Sequence, residues 1–255
     1  MMELEICVDS VESAVAAELG GAQRVELCSA LAEGGLTPSM GLIRAVRSRI
    51  GIGLHVIIRP RGGDFLYSDD ELAVMREDIR YAAESGANGV VFGLLTENGE
   101  VDVEHTRELV ELARPMQVTF HRAIDMARDL EEALENVVQT GADRILTSGG
   151  EQSANLGSEC IANLVRRSGS RIGVMVCGGV RPENVQAIAH STAANQFHSS
   201  LRTAVPSLVT NRKAGLYMGD PGMDEYARYS VLASDVRSLR RAIDAISLDR
   251  VLSGS

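Results

Sequence analysis

Short apolar or β-branched runs begin near residues 4, 24, 54, 88, 116, 144, 172 and 195. The intervals between them, roughly 20 to 35 residues, each hold one amphipathic stretch, the spacing of strands joined by helices rather than by hairpins. Parallel strands need crossovers of about a dozen residues or more, and in one sheet those crossovers are right-handed. Eight such units favour closure, so the expected fold is α/β, a (β/α)8 TIM barrel. The length of 255 residues is ordinary for it, and one domain of that size buries about three quarters of its unfolded-chain surface. Three segments repeat the order helix, glycine, buried strand: AAELGGAQRVELC (16–28), AAESGANGVVFG (82–93) and VVQTGADRILTSGG (137–150). Glycine there caps the helix in the left-handed conformation and the strand follows at once. No Pro/Ser-rich linker interrupts the chain, so 1–255 reads as one domain. An irregular loop is expected at about 199–228 after the eighth strand, then a closing helix from about 229 to 246.

Acidic residues exceed basic ones by 35 to 25, a formal charge of −10. That field repels nucleic acid phosphates and anionic lipid, so neither is an expected partner. No apolar run reaches membrane-spanning length, and the first residues lack the basic region and cleavage site of a secretory signal. The cytoplasm is the expected location. Cys7, Cys28, Cys160 and Cys177 are far apart in sequence and form neither a CxxC pair nor a disulfide framework, so they read as reduced thiols.

Strands of a parallel sheet are covered on both faces and should be apolar throughout, yet several here carry a polar group at every second residue. Glu5, Cys7 and Asp9 share one phase in the first strand and Glu26 and Cys28 in the second. His55, Ile57, Arg59 and Arg61 continue it in the third, Gln117, Thr119 and His121 in the fifth, and Gln196 and His198 in the eighth. The alternate positions, such as Leu4, Ile6 and Val8, are apolar and suit packing against helices. The polar set therefore points into the barrel, where each charge needs a partner or a wet pocket. Glu5 and Gln117, placed deeper, suit an internal network. Glu26, Arg59, His121 and His198 lie near the strand ends, where this fold builds its sites. His105 and His190 fall on helical stretches and read as surface residues.

Three turns have the composition of an anion site. IIRPRGGDF (57–65) puts Arg59 and Arg61 before paired glycines, and guanidinium groups bind oxyanions bidentately. Ser148, Gly149 and Gly150 after the sixth strand, and Gly178 and Gly179 after the seventh, lead into helices, where backbone N–H groups receive anions. FHRAID (120–125) brings His121, Arg122 and Asp125 into one turn, acid/base equipment if the carboxylate orients the imidazole. The competing reading has the arginines neutralising inward carboxylates such as Glu26.

The motifs VELCSALAEGGLTPS (25–39), IIRPRGGDFLYSDDE (57–71), TFHRAIDM (119–126), ILTSGG (145–150), GGVRPENV (178–185) and FHSS (197–200) together resemble the CutC family of copper homeostasis proteins. The resemblance implies a cytoplasmic barrel, often a homo-oligomer, and a role in copper tolerance with Cu(I) as the ion. It also implies Cys7 and Cys28 as the metal ligands, which suits the preference of Cu(I) for soft thiolates. Cys160 and Cys177 match no metal motif of the family and read as buried small hydrophobes. Two functions stay open: a Cu(I)-binding copper homeostasis protein, or a metal-independent barrel enzyme acting on a small anionic phosphate or carboxylate metabolite. The second would use Arg59, Arg61, Arg122, His198 and the glycine turns for binding and Glu26, His121 and Asp125 for acid/base chemistry.

Overall fold

The computed structural model describes residues 2–216, 218 and 224–253, with the side chains of 247–253 outside that description. Strands β1 (Glu3–Val8), β2 (Arg24–Leu27), β3 (Gly53–Ile57), β4 (Gly89–Phe92), β5 (Gln117–Phe120), β6 (Arg144–Thr147), β7 (Gly173–Val176) and β8 (Gln196–Ser199) pair in chain order into a closed parallel barrel. Its crossover helices are α1 (Val11–Leu19), α2 (Met40–Arg47), α3 (Asp69–Glu84), α4 (Val103–Ala113), α5 (Leu130–Thr140), α6 (Ser158–Ser168) and α7 (Val185–Thr192), with α8 (Ala233–Ser253) closing the ring. This is the (β/α)8 TIM barrel.

Local chemistry sets the boundaries. Ser68 accepts from the Glu71 amide while Glu71 accepts from the Ser68 amide, so both ends of a capping box start α3. Asp129 starts α5 by accepting from the amides of Glu131 and Glu132. Each of the three repeated glycine segments ends its helix with a left-handed glycine, at Gly21, Gly86 and Gly141.

The apolar phase of the strands faces the helices. Leu4, Ile6, Val25, Leu54, Val56, Val90, Val118, Phe120 and Phe197 are all sealed in that outer core. Burial of this kind contributes about 1.5–3 kcal/mol per large side chain and is the main force holding the ring of helices. The other phase fills the lumen, where Cys7, Cys28 and Ile57 form one small cluster and Leu146, Met175 and Cys177 another, separate from the outer core.

Two features of the chain end depart from the expectation. Residues 202–205, expected as loop, and 228–231, expected as the end of that loop and the start of the closing helix, form β9 (Arg202–Val205) and β10 (Arg228–Val231), an antiparallel pair outside the barrel. Four-residue arms that are largely exposed carry no hydrophobic period to reveal them. The last helix starts at Ala233 rather than near 229 for the same reason, since β10 occupies that stretch. The connection between β9 and β10 exposes Leu208 and Met218, while residues 217 and 219–223 of the expected loop lie outside the described residues. Among the described residues no helix is long and apolar enough to cross a membrane.

Candidate metal centre

The lumen is built as a stack of paired charges. Glu5 has no exposed surface and accepts from Arg24 Nε on one oxygen and shares a 2.8 Å hydrogen bond with His198 Nδ1 on the other. Burial pushes the Glu5 carboxyl up, but Arg24 and then His198 outweigh it and hold its pKa well below the usual carboxylate range. Below it, Arg144 donates to Gln196, Thr119 and Gln117, and Arg24 also reaches Glu3 at 3.2 Å. His55 lies across Gly89, where a Cβ would come within 2.5 Å of its ring. Its pKa falls to about 3, chiefly by burial, so it is a neutral filler of the lumen.

Above this layer, toward the carboxyl ends of the strands, four groups converge from three neighbouring strands. Cys7 of β1 and Cys28, just past β2, place their sulfurs 3.7 Å apart. Cys28 Sγ donates to Glu26 Oε2 at 3.5 Å, and that oxygen is 3.9 Å from His198 Nε2 of β8. The ligating atoms of Cys7, Glu26 and His198 all lie within 4.8 Å of one another. Register explains the convergence: Cys7 is level with Glu26 across β1–β2, and Glu5 is level with His198 across β1–β8.

The electrostatics of the four are interdependent. The contact with Cys28 lowers the Cys7 thiol to about 6 against the opposing effect of burial, with His198 assisting, so Cys7 is largely thiolate at neutral pH. The same contact, then burial, pushes Cys28 well up. Burial and the neighbouring Cys7 raise the Glu26 carboxyl well above its ordinary range. For His198 burial acts downward but is outweighed by Cys7, Glu5 and Glu26, and its pKa rises well above the ordinary imidazole value. The two shifts favour an ionised Cys7 sulfur beside a protonated His198 ring, with a second thiol in contact.

The other predicted site residues are placed differently. Arg59 donates to the carbonyls of Glu33, Gly35 and Gly63, so its fork staples the β2 and β3 loops together. Arg61 is engaged by Glu71, by Asp64 and by the Leu66 carbonyl. Neither guanidinium is paired with Glu26; the Nη donors of Arg59 go to loop carbonyls, while its Nε is buried without a partner. The amides of Ser148 and Gly150 donate to the Asp125 carboxylate, while the amide of Gly149 is taken by the Thr147 hydroxyl. The anion at that turn is thus a side chain of the chain itself. Arg122 completes this knot by donating to Asp125 and Ser148.

Asp125 therefore does not orient His121, as sequence spacing implied. His121 Nδ1 instead accepts from the Ala123 amide, and its other ring nitrogen, Nε2, is buried and unpartnered. Burial, reinforced by Arg59, lowers the His121 pKa to about 3. Gly178 packs against the Ser148 side chain, where a Cβ would come within 2.9 Å, while Asn184 donates to the Gly179 carbonyl. Cys177 is buried, but Cys160 is only partly so, at the edge of the outer core. His105 pairs with Asp102 on α4 and His190 is exposed on α7. Sequence reasoning missed Arg24 and Arg144, although Arg24 shares the phase of Glu26 and Cys28.

The model of the CutC family matches residues 2–203, which covers all eight barrel strands and all four converging groups. The chain belongs to the CutC family. A CutC family protein of Chromobacterium violaceum is 51 % identical over 241 residues, 94 % of this chain and 98 % of the relative. The human copper homeostasis protein cutC homolog is 47 % identical over 237 residues, 93 % of this chain and 86 % of its own. The crystal structure of a copper homeostasis protein CutC from Streptococcus agalactiae superposes with a TM-score of 0.73 at 35 % identity, covering 78 % of this chain and 98 % of that one. The β9–β10 pair and α8 lie almost wholly beyond the part that the CutC family model matches.

Proposed function

We propose that this CutC family member serves copper homeostasis in the cytoplasm by binding Cu(I) between Cys7 and Cys28. The observation that carries the reading is the 3.7 Å approach of the two sulfurs, one of them largely thiolate at neutral pH. That separation is less than twice the roughly 2.3 Å of a metal–thiolate bond, so one ion reaches both sulfurs without a change of strand register. Soft thiolates select Cu(I) over harder ions, and a reducing compartment keeps both thiols available.

The residues around the pair have definable tasks. Glu5 fixes the His198 ring so that Nε2 faces the sulfurs, and Arg24 fixes Glu5 in turn. His198 holds positive charge against the Cys7 thiolate, which keeps that sulfur ionised in a buried setting. Ile57 packs on both cysteines and limits water at the pair. Binding through Cys28 requires loss of its proton, so affinity should fall with acidification.

The test is anaerobic titration with Cu(I) against a chromophoric Cu(I) chelator. Wild-type protein should take one Cu(I) per chain. Cys7→Ser and Cys28→Ser should each weaken binding at least tenfold, whereas Cys160→Ser and Cys177→Ser should match wild type. Binding that survives loss of both Cys7 and Cys28 contradicts the reading.

A further inference from the structure

We propose that the same corner of the lumen is also a Zn2+ site of mixed donors, with Cys7, Cys28, Glu26 and His198 as the ligands. The inference shares two sulfurs with the Cu(I) reading but does not depend on Cu(I) binding. It begins from the sulfur spacing. Two thiolates each about 2.3 Å from one ion lie about 4.6 Å apart if collinear with it and about 3.8 Å apart at the tetrahedral angle. The observed 3.7 Å is the tetrahedral spacing.

A tetrahedral ion needs two more donors, and the structure holds them on the adjoining strands. Glu26 Oε2 is 3.5 Å from the Cys28 sulfur and 3.9 Å from His198 Nε2. With Cys7, the Glu26 and His198 donor atoms form a triangle no wider than 4.8 Å, and Cys28 adjoins it from the β2 side through its contacts with Cys7 at 3.7 Å and Glu26 at 3.5 Å. Two sulfurs, an imidazole nitrogen and a carboxylate oxygen form a set that Zn2+ takes in proteins, with its four ligands in tetrahedral order. Collinear Cu(I) on two thiolates would leave the last two unused.

The outer contacts fit the same ion. A histidine bound to zinc characteristically gives its other ring nitrogen to a carboxylate, which fixes ring orientation. His198 does this with Glu5 at 2.8 Å, and Arg24 holds the second oxygen of Glu5 in place. Glu5 is thus a positioning residue, and the chain of Arg24, Glu5 and His198 runs up the lumen to the ligand triangle.

Co2+ added to the metal-free protein reports the geometry directly. The proposal expects the intense visible bands of a tetrahedral ion and thiolate-to-Co2+ charge transfer, both abolished by stoichiometric Zn2+ and by Cys7→Ser. Competition with a chromophoric Zn2+ chelator should show Glu26→Gln and His198→Gln each weakening Zn2+ at least tenfold. Circular dichroism verifies that each variant is folded, and the wild-type Co2+ spectrum decides the matter even if a variant is not. A weak octahedral spectrum, or Zn2+ affinity unchanged in both variants, overturns the proposal. Cu(I) uptake with no tetrahedral Co2+ sinks this inference and leaves the copper reading standing, and the reverse result does the opposite.

Discussion

Replacing Glu5 by Gln tests the charge stack beneath the candidate metal centre. Glu5 is fully buried and carries two ionic contacts, one to Arg24 and one to His198. Gln keeps the volume but removes the charge, leaving Arg24 with the partly exposed Glu3 as its acidic partner and His198 with the Glu26 carboxylate at 3.9 Å. Removing one partner of a buried ion pair costs about 3–5 kcal/mol, a large share of the roughly 5–15 kcal/mol that holds a domain folded. Urea unfolding at pH 7 should show a loss of that size with the denaturant slope unchanged. The pH dependence follows from the two shifts. The Glu5 pKa is depressed when folded, so its contribution is complete above the ordinary carboxyl value of 4.5 and is lost as pH falls through the lower folded value. The His198 pKa is raised when folded, so its contribution is complete below the ordinary 6.5 and is lost as pH rises through the higher folded value. The gap between wild type and variant should therefore be widest from mildly acidic to neutral pH and narrow on both sides. A gap below about 1 kcal/mol at pH 7, or one that persists undiminished in acid, refutes the reasoning.

Alkylation of Cys7 by iodoacetamide, followed by mass spectrometry, should have a rate that halves near pH 6, whereas Cys160, whose pKa is raised by burial, should gain reactivity only toward alkaline pH. Equal pH profiles for the two would contradict the thiolate assignment. Arg59→Lys should cost about 3 kcal/mol, because an ammonium cannot reproduce a fork that spans three carbonyls on two loops. Arg61→Ala should cost less than about 1 kcal/mol, since its acidic partners are solvent-exposed or half-exposed. Thermal unfolding of the two variants in parallel checks both, and the opposite ranking would show the loop assignment to be wrong.

The barrel was legible because eight apolar runs alternate with helices at nearly constant spacing, a pattern with few other solutions. The inward phase was legible too, since period-2 polarity in a doubly covered strand has no other outlet, and it marks Glu5, Cys7, Glu26, Cys28 and His198. What the sequence did not carry was partner choice. Arg59 is in the inward phase but folds back to loop carbonyls, and Asp125 lies four residues after His121 yet turns to Ser148 and Gly150. Those outcomes depend on where loops from different strands meet, which no local period encodes. Arg24 was legible in principle, since it opens β2 two residues before Glu26 and in the same phase. The β9–β10 pair was invisible because its arms are only four residues long and their exposure follows no strand alternation across the pair.

The most direct test of the central claim is X-ray absorption at the copper edge on wild-type protein loaded anaerobically with one equivalent of Cu(I). The account predicts a first shell containing two sulfur scatterers, with one of them lost in Cys7→Ser and one in Cys28→Ser. A shell of light scatterers alone, or a sulfur shell unchanged in either variant, would contradict the assignment of Cys7 and Cys28 as the copper ligands.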